Sequence, residues 1–488
     1  MCTIVSLPPE VEKREKRMAQ FSASFAMRLP QEIRATAFCS PVSFREPEID
    51  NAWHPYMIKQ GFLFFLWDQM PKFLRAFAGG MKRFIYGRFG HYIFIPREGA
   101  VVLGLGPINI CKLKEGGVET NYCHPDDAAQ MSWLIADDAA KDHQGYPITR
   151  LGVVKMFFKM FFCWGAVSFF SSNKDTDWAT ASVLTLQWII SLRWADKWIW
   201  GLKIREILQK MRPEKVYCVH EMHPHARIVW SEARRAGIPT ITIQHASITR
   251  TKLWYFPTPE ELKAGLATPD EFVVFSEMER ALLEPFYPKD TRFHFGCGPR
   301  FSHWQGKLVE QREEKADRAP IFFAGSAPWW DNEVILKGVR KLAVFSKGRT
   351  RPIIVRLHPA AVVPRSWKQW LRRMSKRGRL CISGASLSED LSHAAVVIGM
   401  NTTVMDEGML MGLPVIALRS DRYLSFASGL GTPVLLDQLS WEIIEQYIAT
   451  AGKHREENMR QGRQALGIDR PVFKLIPREL TSLVSELT

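Results

Sequence analysis

No two of the eight cysteines stand at the spacing of a zinc knuckle or a CxxC redox motif; they are scattered singly at 2, 39, 111, 123, 163, 218, 297 and 381. That excludes a disulfide-stapled or zinc-knit fold, and the thiols read as reduced side chains that fill core space. No run of about 20 residues is both apolar and nearly free of charge, as a clean membrane span requires. The first twenty residues, MCTIVSLPPEVEKREKRMAQ, hold no uninterrupted apolar stretch followed by a cleavage site, so export is not expected. Internal repeats and low-complexity tracts are missing too. No DxD-type metal dyad stands where a metal would serve: Asp126-Asp127, after His124-Pro125, reads as the acidic first turn of a helix. Acids are outnumbered, 50 against 65 lysines and arginines, which leaves a formal charge of +15. A chain of that sign is drawn to an anion, whether nucleotide, phospholipid or nucleic acid.

What is present is ordinary globular material, 46% apolar and 24% charged, in 488 residues. That length exceeds one hydrophobic core, so two domains and an N-terminal segment are expected. The basic residues are dispersed along the chain, which argues against a nucleic-acid reader. Two segments point to a bilayer surface. Val153 to Phe170 carries Lys155 and Lys159 on neighbouring turns of one face, with phenylalanines over the rest, the build of a helix lying in the headgroup plane. Gly61 to Phe89 sets Phe62, Phe64, Phe65 and Trp67 among Lys72, Arg75, Lys82, Arg83 and Arg88, whose stems can snorkel toward phosphates. Peripheral contact with the anionic inner face of the cytoplasmic membrane is the expectation, and burial under other helices is the alternative.

Strand and helix signals alternate along most of the remainder. Tyr92 to Leu105 suggests a strand pair or a strand entering a loop, and Trp178 to Met211 a long tryptophan-rich helical stretch stopped by Pro213. Lys215 to His220 is an apolar run of buried-strand length, His225 to Ala236 a helix closed by Gly237, and Thr240 to Gln244 the next strand. Glu271 to Phe275 is a strand followed by a Ser276/Glu279 capping box. After the strand Arg292 to Phe295 comes a polar stretch, taken as a linker over about 299–318, before Pro320 to Gly325 restarts the pattern. Ile353 to Leu357, Ala394 to Gly399 and Val415 to Leu418 are further strands. The predicted fold is α/β: two Rossmann-like, doubly wound domains facing a cleft, at 91–300 and 319–488, after a mostly helical extension at 1–90.

Ligands of such sheets bind beyond the carboxyl ends of the strands. There the sequence offers Arg356 and His358, then Asn401, Thr402 and Thr403 opening a helix whose amides favour an anion, with Glu407 one turn inside. Gly325-Ser326 ends an earlier strand and reads equally as phosphate contact or ordinary turn.

The blocks RLHP and VIGMNTTVMDEGMLMGLPVIAL resemble the nucleotide-binding half of GT-B glycosyltransferases, nearest to the sialyl- and Kdo-transferase types of bacterial capsule and lipopolysaccharide assembly. HEMHPHARIVWSEARRAGIPTITIQHAS is similar to the segment ending in QHG in surface-polysaccharide and teichoic-acid transferases. The resemblance covers roughly 213–435 in separated blocks. It implies donor phosphates on His358, Thr402 and Thr403, and ribose on Glu407. A general base from the first domain would be Glu221, with His220 and His245 as neighbours or substitutes. Threonines replace the serines of the sialyltransferase type, and Ala246 replaces the glycine after QH, where positive φ becomes costlier. Arg356, His358 and helix amides would neutralise the leaving nucleotide, so no metal and no cofactor beyond the donor substrate is expected. The implied activity is transfer of a sugar from a nucleotide-activated donor to a lipid-linked glycan. A polyol-phosphate transferase of the teichoic-acid type and a non-catalytic scaffold of a polysaccharide assembly complex are the alternatives.

Overall fold

The computed structural model describes residues 9–44, 61–86, 92–95, 101–105, 132–136, 150–170, 176–212, 215–218, 224–244, 248, 252–296, 319–326, 329–344, 351–358, 361, 363–420, 431–451 and 455–470. Apolar side chains at helical spacing first form α1 (Pro9–Arg28), α2 (Gln31–Ala37), α3 (Pro41–Phe44) and α4 (Gly61–Tyr86). Three strands follow, β1 (Tyr92–Ile95), β2 (Val101–Leu105) and β3 (Ser132–Ala136), and then α5 (Arg150–Phe170), α6 (Thr176–Ile190) and α7 (Arg193–Met211). Met18, Phe21 and Phe25 of α1 share one core with Met160 and Trp164 of α5 and Trp178 of α6. Phe21 meets Trp178 edge to face, centroids 5.1 Å apart. Trp164 Nε1 donates to the Ser182 carbonyl at 2.9 Å and Trp178 Nε1 to that of Val167 at 3.2 Å, so these rings bury their bulk with the donor satisfied. The helical layer thus draws on two separate stretches of chain.

The helical stretch from Trp178 to Met211 is broken in the middle. Ser191 turns its hydroxyl back to the Trp188 carbonyl at 2.9 Å, and Leu192 takes φ 55° before α7 begins. No proline or glycine at 190–193 announces the break. Packing imposes it: Gly80 of α4 lies against the Ile190 carbonyl, where any side chain would collide, and beyond the break Trp194 is fully buried.

α5 is apolar on both sides. Val153, Met156, Met160, Trp164 and Val167 face the core, while Leu151, Phe158, Phe162 and Phe169 stand exposed with Lys155 and Lys159 among them. By length and composition Leu151–Phe169 could cross a membrane, and 28% of that window is buried within the protein. α4 exposes a second stripe, Met70, Leu74, Phe77 and Met81, and both helices pack on α6.

β1 and β2 are strands, as the Tyr92–Leu105 segment suggests, but they do not pair with each other. β3, which the sequence did not announce, lies between them, antiparallel to β1 and parallel to β2. The sheet continues through β4 (Val216–Cys218), then α8 (Pro224–Ala236), β5 (Thr240–Ile243), α9 (Pro259–Lys263), β6 (Glu271–Val274), α10 (Glu277–Leu283) and β7 (Arg292–Phe295). Its order is β1-β3-β2-β4-β5-β6-β7. Gly237 closes α8 at φ 69°, and Ser276 and Glu279 form the expected reciprocal capping box.

The second sheet is parallel among its described strands: β8 (Ile321–Ala324), α11 (Trp329–Val344), β9 (Ile353–Arg356), α12 (Arg365–Lys376), β10 (Cys381–Ile382), α13 (Leu387–His393), β11 (Val396–Gly399), α14 (Val404–Leu410), β12 (Val415–Arg419) and β13 (Thr432–Leu435), then α15 (Trp441–Ala451) and α16 (Arg455–Ala465). The strands read as continuous apolar runs because both faces are covered. Ile321, Phe323, Val355 and Ile398 pack with α11, and Phe322, Val397 and Val415 with α14. After α16 the chain returns to the first sheet, where Leu466 and Ile468 join Phe275 and Leu410 in one cluster, and the Arg470 guanidinium lies 4.1 Å from the centre of the Phe295 ring.

Two doubly wound, Rossmann-like αβ units and a mostly helical N-terminal extension are what this chain builds. The linker expected over 299–318 lies outside the described residues, as do Asp126 and Asp127. Gly80→Ala should lower stability by about 1–3 kcal/mol, since α4 and the end of α6 must part to admit a methyl; the midpoint of urea unfolding measures it, and an unchanged midpoint contradicts the packing account of the break.

Candidate functional site

Sheet order decides where a ligand can enter. In the second sheet, order β10-β9-β8-β11-β12-β13, the chain builds outward from β8 on one side and then crosses over to β11 on the other. At such a reversal the loops leave neighbouring strand ends in opposite directions and open a crevice. Register says what stands there. Arg356, Ala324, Gly399 and Ala417 are level across β9, β8, β11 and β12. Two residues further on, in the same order, come His358, Ser326, Asn401 and Arg419. Three of these four are candidates that the sequence offered separately.

Glycine permits the close approach. A side-chain carbon on Gly325 would lie 2.9 Å from the Arg356 carbonyl oxygen and 3.1 Å from the His358 nitrogen, and the Gly325 N–H donates to that carbonyl at 2.7 Å. On Gly399 it would lie 2.9 Å from Thr402 Cγ2, so the strand can turn sharply into α14.

A buried polar network fixes the row. The Ser326 N–H donates to Asn332 Oδ1 at 3.2 Å, Asn332 Nδ2 donates to the Ser326 carbonyl at 2.6 Å, and the Ser326 hydroxyl donates to the Asn401 carbonyl at 3.4 Å. Asn401 sits in the left-handed region at φ 52°, and its Nδ2 donates to Asp331 Oδ1 at 2.8 Å. Asp331 has 0% exposure. Burial pushes its carboxyl up to about 7, against a smaller downward pull from the Ser326 hydroxyl and the Asn401 amide. Among the described residues, Asp331 Oδ2 and Asn401 Oδ1 are buried without a hydrogen-bond partner.

The other candidates divide. His358 is exposed beyond β9. Thr402 accepts the Val404 N–H at 3.4 Å, and Thr403 stands at the N-cap of α14 without a side-chain capping bond. Glu407 is buried in the first turn of that helix rather than solvated. Arg356 is turned to the sheet's own support: its Nη1 donates to Asp390 Oδ2 at 2.8 Å, the Ala385 carbonyl at 2.7 Å and Ser383 Oγ at 3.4 Å. Arg419, by contrast, makes no ion pair among the described residues, and its Nε is buried without a partner. Asp331 and Arg419 carry ordinary sequence signals, an acid in a first helical turn and a base at a strand end, and pairing across the sheet is what singles them out.

In the first sheet the reversal falls between β2 and β4. His220 and Glu221 follow β4 and His245 follows β5; all three lie outside the described residues. Their surroundings are partly described. Glu279 Oε1 accepts from Gln244 Nε2 at 2.5 Å and from the Ile248 N–H at 3.1 Å, so one buried carboxyl holds both flanks of 245–247. Gln244 Oε1 in turn accepts the Phe275 N–H at 2.8 Å. Burial raises the Glu279 carboxyl to about 7, the Ile248 amide and Gln244 pulling it back less.

No protein family and no curated protein matches the sequence. Among solved structures the chain is similar to a UDP-GlcNAc 2-epimerase from Neisseria meningitidis bound to UDP-GlcNAc, at 11% identity over 80% of this chain and 98% of that one, TM-score 0.43. A glycosyltransferase from Rickettsia africae matches at 11% identity, 80% and 99% coverage and a TM-score of 0.41. The Anabaena protein HepE in complex with UDP-glucose matches at 11%, 59% and 82%, TM-score 0.37. At such identities and scores the likeness speaks to neither substrate nor reaction.

Glu279 gives a pH prediction. Its folded pKa lies above the unfolded value, so its contribution to stability is full below about 4.5 and is lost as pH rises to about 7. The unfolding temperature should fall across that window, by the equivalent of about 3 kcal/mol at most, and Glu279→Gln should flatten the fall; an equal slope in the variant contradicts the assignment.

Proposed function

We propose that this chain is a glycosyltransferase, passing a sugar from a nucleotide-activated donor to a lipid-linked surface glycan, with the donor's phosphate lying across the β8–β11 reversal. The register that sets Arg356, Ala324, Gly399 and Ala417 level, with His358, Ser326, Asn401 and Arg419 two residues further along each segment, carries the reading. The His358 imidazole and the Arg419 guanidinium at strand ends of one sheet suit an anion. Ser326 and Asn401, whose donors go to the Asn401 carbonyl and to Asp331, shape the turn between them. In this reading Thr402 and Thr403 add hydroxyls from the turn, Glu407 takes ribose, and Arg419 supplies the cation that Arg356, tied to Asp390, does not. Glu221, with His220 or His245 as substitute, removes the proton from the acceptor hydroxyl. That oxygen then bonds to the anomeric carbon as the bond from that carbon to the donor's phosphate oxygen breaks, and the nucleotide leaves as an anion stabilised by His358 and Arg419.

Thermal-shift screening against CMP, UDP, GDP and CDP should find one nucleotide that raises the unfolding temperature. His358→Ala and Arg419→Ala should each weaken it about tenfold, the loss of one charge-assisted contact. Binding by none of the four sinks the reading. Phosphate retained on the product would favour polyol-phosphate transfer, and an unchanged cellular glycan in Glu221→Ala and His358→Ala a scaffold.

We place the reaction on the cytoplasmic face of an anionic membrane. The exposed stripes of α4 and α5 support this, because aromatic and aliphatic side chains there are flanked by Arg75, Lys82, Lys155 and Lys159. One face of α5 is committed to the helical core, which favours lying in the interface over spanning it. The protein should sediment with vesicles containing anionic phospholipid in a salt-sensitive way, and Phe158→Glu with Phe162→Glu should abolish this. Equal binding by that double variant rules out the surface.

A further inference from the structure

Asn401 needs something to hold it. It is the only described non-glycine residue of the second sheet's unit with positive φ, and the turn carrying Thr402 and Thr403 starts from it. Its amide and the Asp331 carboxyl face each other through one hydrogen bond of 2.8 Å, from Asn401 Nδ2 to Asp331 Oδ1. The remaining oxygen of each group, Asp331 Oδ2 and Asn401 Oδ1, is buried with no partner among the described residues. Two leftover acceptors on a pair already joined by one bond can share a single proton, the Ser326 hydroxyl being the other polar group at the carboxyl. We propose that Asp331 is the positioning residue of the anion-binding turn: protonated, it closes a two-bond acid–amide ring with Asn401, its Oδ2–H donating to Asn401 Oδ1.

The surroundings favour the neutral form. Asp331 is 0% exposed and forms no ion pair among the described residues, and burial lifts its carboxyl to about 7. The charged or titratable groups on the elements meeting there are Glu333, Lys337, Arg340 and Lys341 on α11, Arg356 and His358 on and after β9, Asp406 and Glu407 on α14, and Arg419 on β12. Glu333 pairs with Lys337 at 2.6 Å and Arg356 with Asp390 at 2.8 Å. One proton thus satisfies both leftover oxygens and keeps a carboxylate from forming beside the site for the donor's phosphate. Ionisation above neutrality removes one bond of the ring and sets a negative charge against the donor. The effect on ligand rests on the donor-site reading; the protonation state does not.

Two measurements separate those layers. Difference infrared spectroscopy of the wild-type chain against Asp331→Asn should show the carbonyl band of a protonated carboxyl at pH 6 that vanishes as pH rises through neutrality. A band absent at pH 6 overturns the proposal whatever the protein binds. Titration calorimetry with CMP, UDP, GDP and CDP at pH 6.5 and 8.5 then reads the consequence. The nucleotide that binds should weaken by up to about tenfold per pH unit once the group ionises. Asp331→Ala should bind poorly at both pH values, while Asp331→Asn, which keeps both hydrogen bonds and cannot ionise, should rescue binding and abolish the slope. His358→Gln, run in parallel, removes the imidazole's own titration. A slope that survives in Asp331→Asn but disappears in His358→Gln overturns the positioning role. Binding by none of the four removes the donor reading and leaves the infrared band to decide the ring.

Discussion

The hydrogen bond from Asn401 to Asp331 joins the two loops that leave the second sheet in opposite directions, and the candidate site hangs from it. Ser326 is fixed by Asn332 one residue along from Asp331, and its hydroxyl reaches the carbonyl of Asn401. The turn after β8, the first turn of α11 and the turn after β11 are therefore one connected network. Buried polar networks of this kind are costly when half satisfied and rigid when complete. A left-handed asparagine costs on the order of 1 kcal/mol, comparable to the net worth of one hydrogen bond, so the shape of the 401–403 turn and the state of Asp331 are bound together.

The helical layer solves a different problem with the same economy of contacts. Tryptophans 164, 178 and 194 place their bulk in the core and hand their N–H groups to helix carbonyls. These three fill space between helices without stranding a donor, whereas Trp198 Nε1 on α7 is buried with no hydrogen-bond partner among the described residues. What remains apolar on the outer faces of α4 and α5 is more than a core needs, and it is interleaved with bases rather than acids.

Much of the fold was readable because parallel strands buried on both faces leave short apolar runs, and because Gly237, Gly412 and the Ser276/Glu279 pair mark helix ends by local chemistry. β3 escaped because SWLIA is too short and too isolated to declare itself outside the sheet that pairs it. The break at Leu192 escaped because its cause, Gly80, lies more than a hundred residues away in the chain. At the site, strand-end residues such as His358, Ser326 and Asn401 could be named from the sequence. That the strands leading to them end level could not, since register is set by pairing between strands far apart in sequence. Arg356 was the base that the sequence offered, and only the structure shows Asp390 holding it while Arg419 stands without an ion pair among the described residues.

The segment that comes back after α16 has a thermodynamic consequence. Leu466 and Ile468 bury themselves against Phe275 of the first unit and Leu410 of the second at once, and Gly467, at φ 60°, fits against the Phe275 carbonyl where no side chain could. Neither unit can melt without baring that shared apolar seam to water. Heat should therefore meet a single cooperative body where the sheet count alone suggests two.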